Sequence, residues 1–383
     1  MPKLLIYCSE ASGGLADYAH EQSCSLANAG VDVVLLAPAD YIHQSEVYLQ
    51  YPLAVPSWSG SGSRLVSRFL FVIRILGYTR QLASIIRGLG VRHVLLTSYS
   101  EYLAPLWAWR LRRLRNQGVQ FAAVVHDPVR CYQVGPRWWH RWSIAEGYSF
   151  LHHVFIHAPI ELDTVRQIPG LQVTVIPHGP FSFPPSPISR QQARRQMGIP
   201  EMAPLLLSFG RLRSDKNLEC VLYALRDNPR THLLVAGPEA THGQRQSGEF
   251  RRMADRLGIA DRCHWQVWFH TPEEAAQVFT AADVAVLVYS ASFRSASGVL
   301  NVAVRYRIPV IASGGDGALT RAVSQFALGV VIPPDDTPEL AKAIPQLFRH
   351  PLAPDWEGYL EANCWAANAR LVIEAMGLYD TYD

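Results

Sequence analysis

The segment Ser208-Phe209-Gly210-Arg211-Leu212-Arg213-Ser214-Asp215-Lys216-Asn217 sets two cations, Arg211 and Lys216, directly after an apolar run, Pro204-Leu205-Leu206-Leu207. A helical pattern follows from Leu218 to Leu225. That order puts both cations on a loop between a buried strand and the next helix, at the carboxyl end of a strand, where open α/β sheets bind ligands. A second segment, Ser297-Gly298-Val299-Leu300, opens another helix. Ser297 reads as its N-cap, and the amides of Gly298 and Val299 would point at an anion. Arg offers a planar fork for phosphate oxygens and Lys a compact point charge. Together they suit a diphosphate leaving group, whose developing charge is best stabilised by fixed cations away from water. The competing reading is a pair of solvated cations at a helix start.

Two further groups sit where chemistry is placed in such folds. Gly13-Gly14 follows the strand Lys3-Leu4-Leu5-Ile6-Tyr7 and precedes a helix, so the backbone can approach a ligand closely. His126-Asp127-Pro128 follows the run Phe121 to Val125; Asp127 orients the imidazole or caps the next helix. His152, His153, His157, His264 and His270 share no ligand spacing, so no metal is expected. No Gly-x-Ser-x-Gly nucleophile elbow occurs. The cysteines Cys8, Cys24, Cys131, Cys220, Cys263 and Cys364 are scattered singly, as reduced buried thiols are, with no Cys-x-x-Cys pair.

The order strand, Gly-Arg-Leu-x-x-x-Lys-Asn, then a distant Ser-Gly-Val-Leu helix ending in Ile308-Pro309-Val310-Ile311-Ala312-Ser313, resembles the family 4 glycosyltransferases of the GT-B fold. The resemblance implies a catalytic set of His126, Arg211 and Lys216, with His126 against the donor sugar and the two cations on the donor diphosphate. It implies donor binding by Gly13, Gly14, Ser297, Gly298 and Val299, and a structural Pro-His-Gly turn at His178-Gly179. A nucleoside-diphosphate sugar would be co-substrate, with no cofactor and no metal. The reaction would retain configuration without a protein nucleophile, the acceptor hydroxyl attacking from the face the leaving phosphate vacates. The chain departs from the family in one place. Where an E-x7-E pair of acids is common, Arg294 stands near the first position and Val302 at the second, which fits a Ser-Gly-Val-Leu branch lacking the ribose acid. Two other readings stay open: a nucleotide-sugar epimerase, and a catalytically silent homologue that binds a partner.

These loops need strands and helices to hold them. At 383 residues the chain suits two domains. Strands are expected at 3–7, 31–37, 91–97, 121–125, 154–157 and 173–176, and again at 204–209, 231–236, 262–267, 284–288, 308–312 and 328–332. A helix spans about Leu15 to Ala29 and stops at Gly30. Short β-branched runs alternating with helices indicate parallel sheets buried on both faces. The expected α/β architecture is two Rossmann-like doubly wound domains facing a central cleft. They are an acceptor-binding domain over 1–180 and a nucleotide-sugar domain over 188–355. The proline-rich stretch 181–187 links them, and a closing helix within 356–383 crosses back to the first.

Hydrophobic content of 49% with 17% charged residues is that of a well-packed protein. A net charge of +3 is too small to argue for nucleic acid, and with no Lys/Arg tract resembling a recognition helix no nucleic-acid partner is expected. With no signal peptide and no apolar run reaching the ~20 residues a bilayer needs, a cytoplasmic protein is expected. One stretch stands apart. From Arg64 to Arg115 ten arginines face a single acid, Glu101, interleaved with Phe69, Phe71, Tyr78, Trp107 and Trp109. Pro136-Arg137-Trp138-Trp139-His140-Arg141-Trp142 follows. Basic and aromatic residues together suit peripheral contact with the inner face of an anionic membrane and a lipid-linked acceptor; glycan and small-molecule acceptors are the other classes. The plainer reading is ordinary core-facing helices with solvated arginines.

Overall fold

The computed structural model describes residues 2–54, 64–130, 133–162, 168–239, 245–350 and 352–379. Cys131 and residues 380–383 lie outside the described residues. The chain forms two compact units: residues 1–177 together with 364–383, and residues 178–363.

The first unit begins with β1 (Lys3–Tyr7), α1 (Gly14–Asn28), β2 (Asp32–Pro38) and β3 (Leu49–Leu53). It continues with α2 (Arg64–Leu89), β4 (His93–Leu96), α3 (Ala104–Arg115) and β5 (Gln120–Val124). Helix α4 (Arg137–Tyr148), β6 (His153–Ile156) and β7 (Gln172–Val175) complete its sheet. The seven strands run in the order β3-β2-β1-β4-β5-β6-β7, and every pair is parallel. The chain winds outward from β1 to β3, then returns to the other side of β1 with β4. That reversal makes the carboxyl ends of β1 and β4 a topological switch point, where such sheets bind ligands. The central strands are almost wholly apolar because helices cover both faces. Strand β3 escapes the apolar-run criterion: Leu-Gln-Tyr-Pro-Leu carries a proline, tolerated because among the described residues the strand pairs with β2 alone, at the sheet edge.

The second unit holds α5 (Arg190–Gln196), β8 (Leu205–Phe209), α6 (Leu218–Arg226), β9 (His232–Ala236) and α7 (Ser247–Arg256). Next come β10 (Cys263–Gln266), α8 (Pro272–Ala281), β11 (Val284–Val288), α9 (Gly298–Arg305) and β12 (Val310–Ser313). Helix α10 (Ala318–Gln325), β13 (Gly329–Val331), α11 (Thr337–Arg349) and α12 (Trp356–Ala362) close it. Its six parallel strands run β10-β9-β8-β11-β12-β13, so the switch point falls between β8 and β11. The loops leaving those two strands contain Arg211 and Lys216 on one side and Ser297 on the other. The proline-rich stretch is bound into this unit: Phe181 is buried, and the Tyr306 hydroxyl donates to the Pro184 carbonyl at 2.6 Å.

Two expectations are corrected. The closing helical pattern is two helices, α12 and α13 (Trp365–Met376), because Cys364 turns to an extended conformation and its Sγ caps the amide of Ala367. Helix α13 packs on α1 within the first unit, where Trp365 meets the edge of Tyr18 at 4.9 Å and Asn368 is fully buried. A helical stretch long and apolar enough to cross a bilayer also exists, the 21 residues Phe69–Leu89 of α2. Arg74, Arg80 and Arg87 break the run in sequence but are too sparse to lower its overall apolarity. Its Ile75, Tyr78, Leu82, Ala83 and Ile86 belong to the core of the first unit.

Candidate active site

In the second unit the loop after β8 turns at Gly210, whose φ of 90° favours glycine. The Gly210 amide donates to the Ala236 carbonyl at 2.8 Å. Gly237, at φ 145°, lies so close that a Cβ there would stand 2.3 Å from the Gly210 carbonyl oxygen. The two glycines therefore let the ends of β8 and β9 touch through backbone alone. Lys216 folds back over this junction. Its Nζ donates to the Phe209 carbonyl and lies 2.9 Å from where a Gly210 Cβ would sit, while Val299 Cγ2 is 3.8 Å from the same point. Lys216 and the first turn of α9 are thus brought to one spot. Burial pushes the Lys216 ammonium down to about 7, with Arg213 beside it adding to the shift. Arg211 is exposed, and its guanidinium donates to the Glu239 carbonyl at 3.2 Å.

Ser297 occupies the N-cap position of α9 but does not cap it with its side chain. Instead its hydroxyl pairs with the Tyr289 hydroxyl at 3.2 Å. The expected capping role is corrected: a partner on the preceding loop outcompetes the helix amides. The consequence favours a ligand, since the Gly298 and Val299 amides have no acceptor among the described residues. Such amides carry the positive end of the helix dipole. The far side of α9 is pinned. Asn301 is buried, lies 2.7 Å from His178 Nδ1 through its amide nitrogen, and accepts from the Tyr359 hydroxyl at 2.6 Å. A Cβ on Gly298 would come within 3.3 Å of the Phe181 ring. His178-Gly179 thus acts as an anchor for the helix.

The positions of the absent acid pair have different fates. Val302 is buried. Arg294 is exposed, with its backbone packed so tightly on the turn before α10 that a Cβ on Gly317 would lie 2.2 Å from its carbonyl oxygen. One carboxylate that no motif announces does join the site. Asp335, at φ 59° after β13, accepts from Asn217 Nδ2 at 2.7 Å and from the Ala291 amide at 3.3 Å. The Ser290 amide donates to the Asp215 carbonyl at 3.1 Å. Together these bonds tie the loops after β8, β11 and β13 into one surface.

In the first unit, Gly13 stands at φ 85° as the N-cap of α1, and a Cβ on Gly14 would meet nothing within 4 Å. That opening sits at the switch point. His126 follows β5, and its Nε2 lies 3.1 Å from the Thr97 carbonyl. A carbonyl only accepts, so Nε2 carries the hydrogen and Nδ1 the lone pair in the neutral ring. Burial pushes the imidazole pKa down and so favours the neutral ring, partly countered by Asp127 and by the Thr97 contact. The ring stands edge-on to Tyr18 at 4.6 Å. A neutral His126 supplies an acceptor at Nδ1 and no fixed charge. Gly13, Gly14 and His126 belong to one unit and Arg211, Lys216, Ser297, Gly298 and Val299 to the other. Among the described residues no three His, Cys, Asp or Glu side chains are grouped so as to hold a metal ion.

Residues 189–369 match the family described as glycosyl transferases group 1. Among curated relatives, the D-inositol 3-phosphate glycosyltransferase of Mycobacterium ulcerans is 30% identical over 203 residues, 52% of this chain and 39% of the relative. That of Mycolicibacterium smegmatis is 31% identical over 173 residues, 44% of this chain and 38% of the relative. The chain therefore matches well under half the length of these glycosyltransferases. Among solved structures, sucrose-phosphate synthase from Thermosynechococcus elongatus superposes with a TM-score of 0.69 at 20% identity, covering 98% of this chain and 95% of that one. Anabaena HepE in complex with UDP-glucose gives 0.63 at 14% identity, covering 98% and 95%. The fold is GT-B.

Proposed function

We propose that the protein is a retaining glycosyltransferase that moves a sugar from a nucleoside-diphosphate sugar to a hydroxyl acceptor. The observation that carries this reading is the convergence of Lys216 and the unpaired first-turn amides of α9 at the Gly210 turn, with Arg211 on the same loop. In the reaction the bond between the anomeric carbon and the phosphate oxygen breaks, and its electron pair stays on the diphosphate. The acceptor oxygen bonds to the anomeric carbon on the same face, and its proton passes to the departing phosphate oxygen. Lys216, Arg211 and the α9 amides are assigned the negative charge that develops on the leaving group. His126, with Nδ1 as acceptor, is assigned to orient a hydroxyl of the donor sugar.

Relatives of the fold bind UDP and UDP-glucose, so a UDP-sugar is the first donor to test. The acceptor is assigned to the lipid-linked or glycan class, and the protein to the cytoplasmic side, peripheral on the inner face of the membrane. A second reading, a catalytically silent homologue, is favoured by Arg294 and Val302 standing where family members carry acids. Thermal unfolding with UDP-, GDP-, ADP- and dTDP-sugars, followed by release of nucleotide from the best binder, separates the readings. A donor that raises the melting temperature and is turned over supports transfer, whereas binding without turnover supports the silent homologue.

A further inference from the structure

We infer that the face of the first unit built by α2, α3 and α4 docks flat onto an anionic phospholipid surface, inserting aromatic side chains between basic ones. It rests on the proposed transfer to a lipid-linked acceptor for its purpose, though not for its existence.

Three observations converge. First, large apolar side chains point outward on all three helices. Phe69 is 66% and Trp138 63% exposed, with Ile73, Trp109 and Trp142 exposed nearby. Helix α3 packs on both α2 and α4, so these residues share one side of the unit. Second, they fall at helical spacing with arginines. Leu106, Trp109, Arg110 and Arg113 form one stripe on α3, and Trp138, Arg141 and Trp142 another on α4. On α2 the stripe Phe69, Ile73, Arg80, Arg87 is apolar at its start and basic at its end. Arg110 and Arg113 lie over the Trp109 ring, 4.8 and 4.9 Å from its centroid. That arrangement puts cations at the depth of an interfacial indole.

Third, the charge is one-sided. No acid occurs on α2 or α3, and the one acid of α4, Glu146, is engaged by Arg112. Glu101, just before α3, is held by Arg130. Exposed apolar rings with uncompensated arginines complement an anionic headgroup layer, where the rings leave water and the cations meet lipid phosphate. The geometry is flat rather than spanning. Phe69–Leu89 has the length to cross a bilayer, but its Ile75, Tyr78, Leu82 and Ile86 sit in the core of the unit, and crossing would strip them from it.

The test is flotation of the full chain with vesicles of phosphatidylcholine alone and of phosphatidylcholine with phosphatidylglycerol in equal parts. Binding is expected only with the anionic vesicles, reversed by high salt. It should weaken by about tenfold or more in Trp138→Ala/Trp142→Ala and in Arg113→Glu/Arg141→Glu. Unchanged melting temperature and UDP-glucose binding in these variants show that the fold and the donor site are intact. Those readouts also separate failure of this inference from failure of the proposed transfer. Binding indifferent to lipid charge, or undiminished in both variants, overturns the inference. So does resistance to carbonate extraction, which indicates a spanning helix, or a dimer abolished by the same substitutions, which indicates a second copy as the occupant.

Discussion

Binding of UDP-glucose should be coupled to protonation of Lys216. In the free protein burial lowers its ammonium from 10.5 to about 7. At about pH 8 roughly one-tenth of the molecules then carry the charge. A diphosphate placed beside Nζ favours the ammonium and raises its pKa in the complex. The sign follows: a site that must gain a proton binds less well as pH rises through the pKa of the free form. Affinity should fall by about tenfold per pH unit above about pH 7, until the pKa of the complex is reached. UDP-glucose is the right ligand because its diphosphate is esterified at both ends and does not itself titrate near neutrality. Calorimetry at about pH 8, in buffers of different ionisation enthalpy, should report uptake of nearly one proton per ligand bound. Lys216→Arg, charged at every pH used, should show a flat profile and no uptake. A wild-type affinity independent of pH between about 7 and 9 would refute the placement of Lys216 against the diphosphate.

Three further substitutions test the local geometry. Gly237→Ala drives a Cβ to 2.3 Å from the Gly210 carbonyl and should cost about 3 kcal/mol or more, read as a lower urea midpoint together with weakened nucleotide binding. Arg307→Gly should raise stability by about 0.5–1 kcal/mol, read as a higher urea midpoint, because Arg307 sits at φ 54° and its exposed pair with Glu357 contributes little. Ser297→Ala removes only the hydrogen bond to Tyr289. Stability should fall by about 1 kcal/mol while UDP-glucose affinity holds within a factor of about two; a large loss of affinity would mean that the hydroxyl itself grips the ligand.

Much of the two sheets was legible in the sequence, because central parallel strands must be apolar on both faces. Leu205–Phe209 and Val284–Val288 announce themselves for that reason. Edge strand β3 does not, since an edge with Pro52 has no apolar run to show. The loops with Arg211, Lys216 and Ser297 were legible from their order after strands and before helices. Their detailed chemistry was not. Ser297 satisfies the rule for a capping residue, yet Tyr289, eight positions earlier, takes its hydroxyl. Gly237 looks like any loop glycine until the backbone of Gly210 is seen against it. Asp335 gains its place through Asn217 and Ala291, both far away in sequence and brought close by the order of the strands. Contacts between loops of different strands leave no periodic trace, and such contacts shape this site.

The most direct test of the central claim is turnover of the nucleotide-sugar donor by Arg211→Ala and Lys216→Ala, each with its melting temperature matched to the parent protein. If both cations stabilise the leaving diphosphate, each substitution should lower turnover by about 10²–10³. Turnover within a few-fold of the parent in either folded variant would contradict the account.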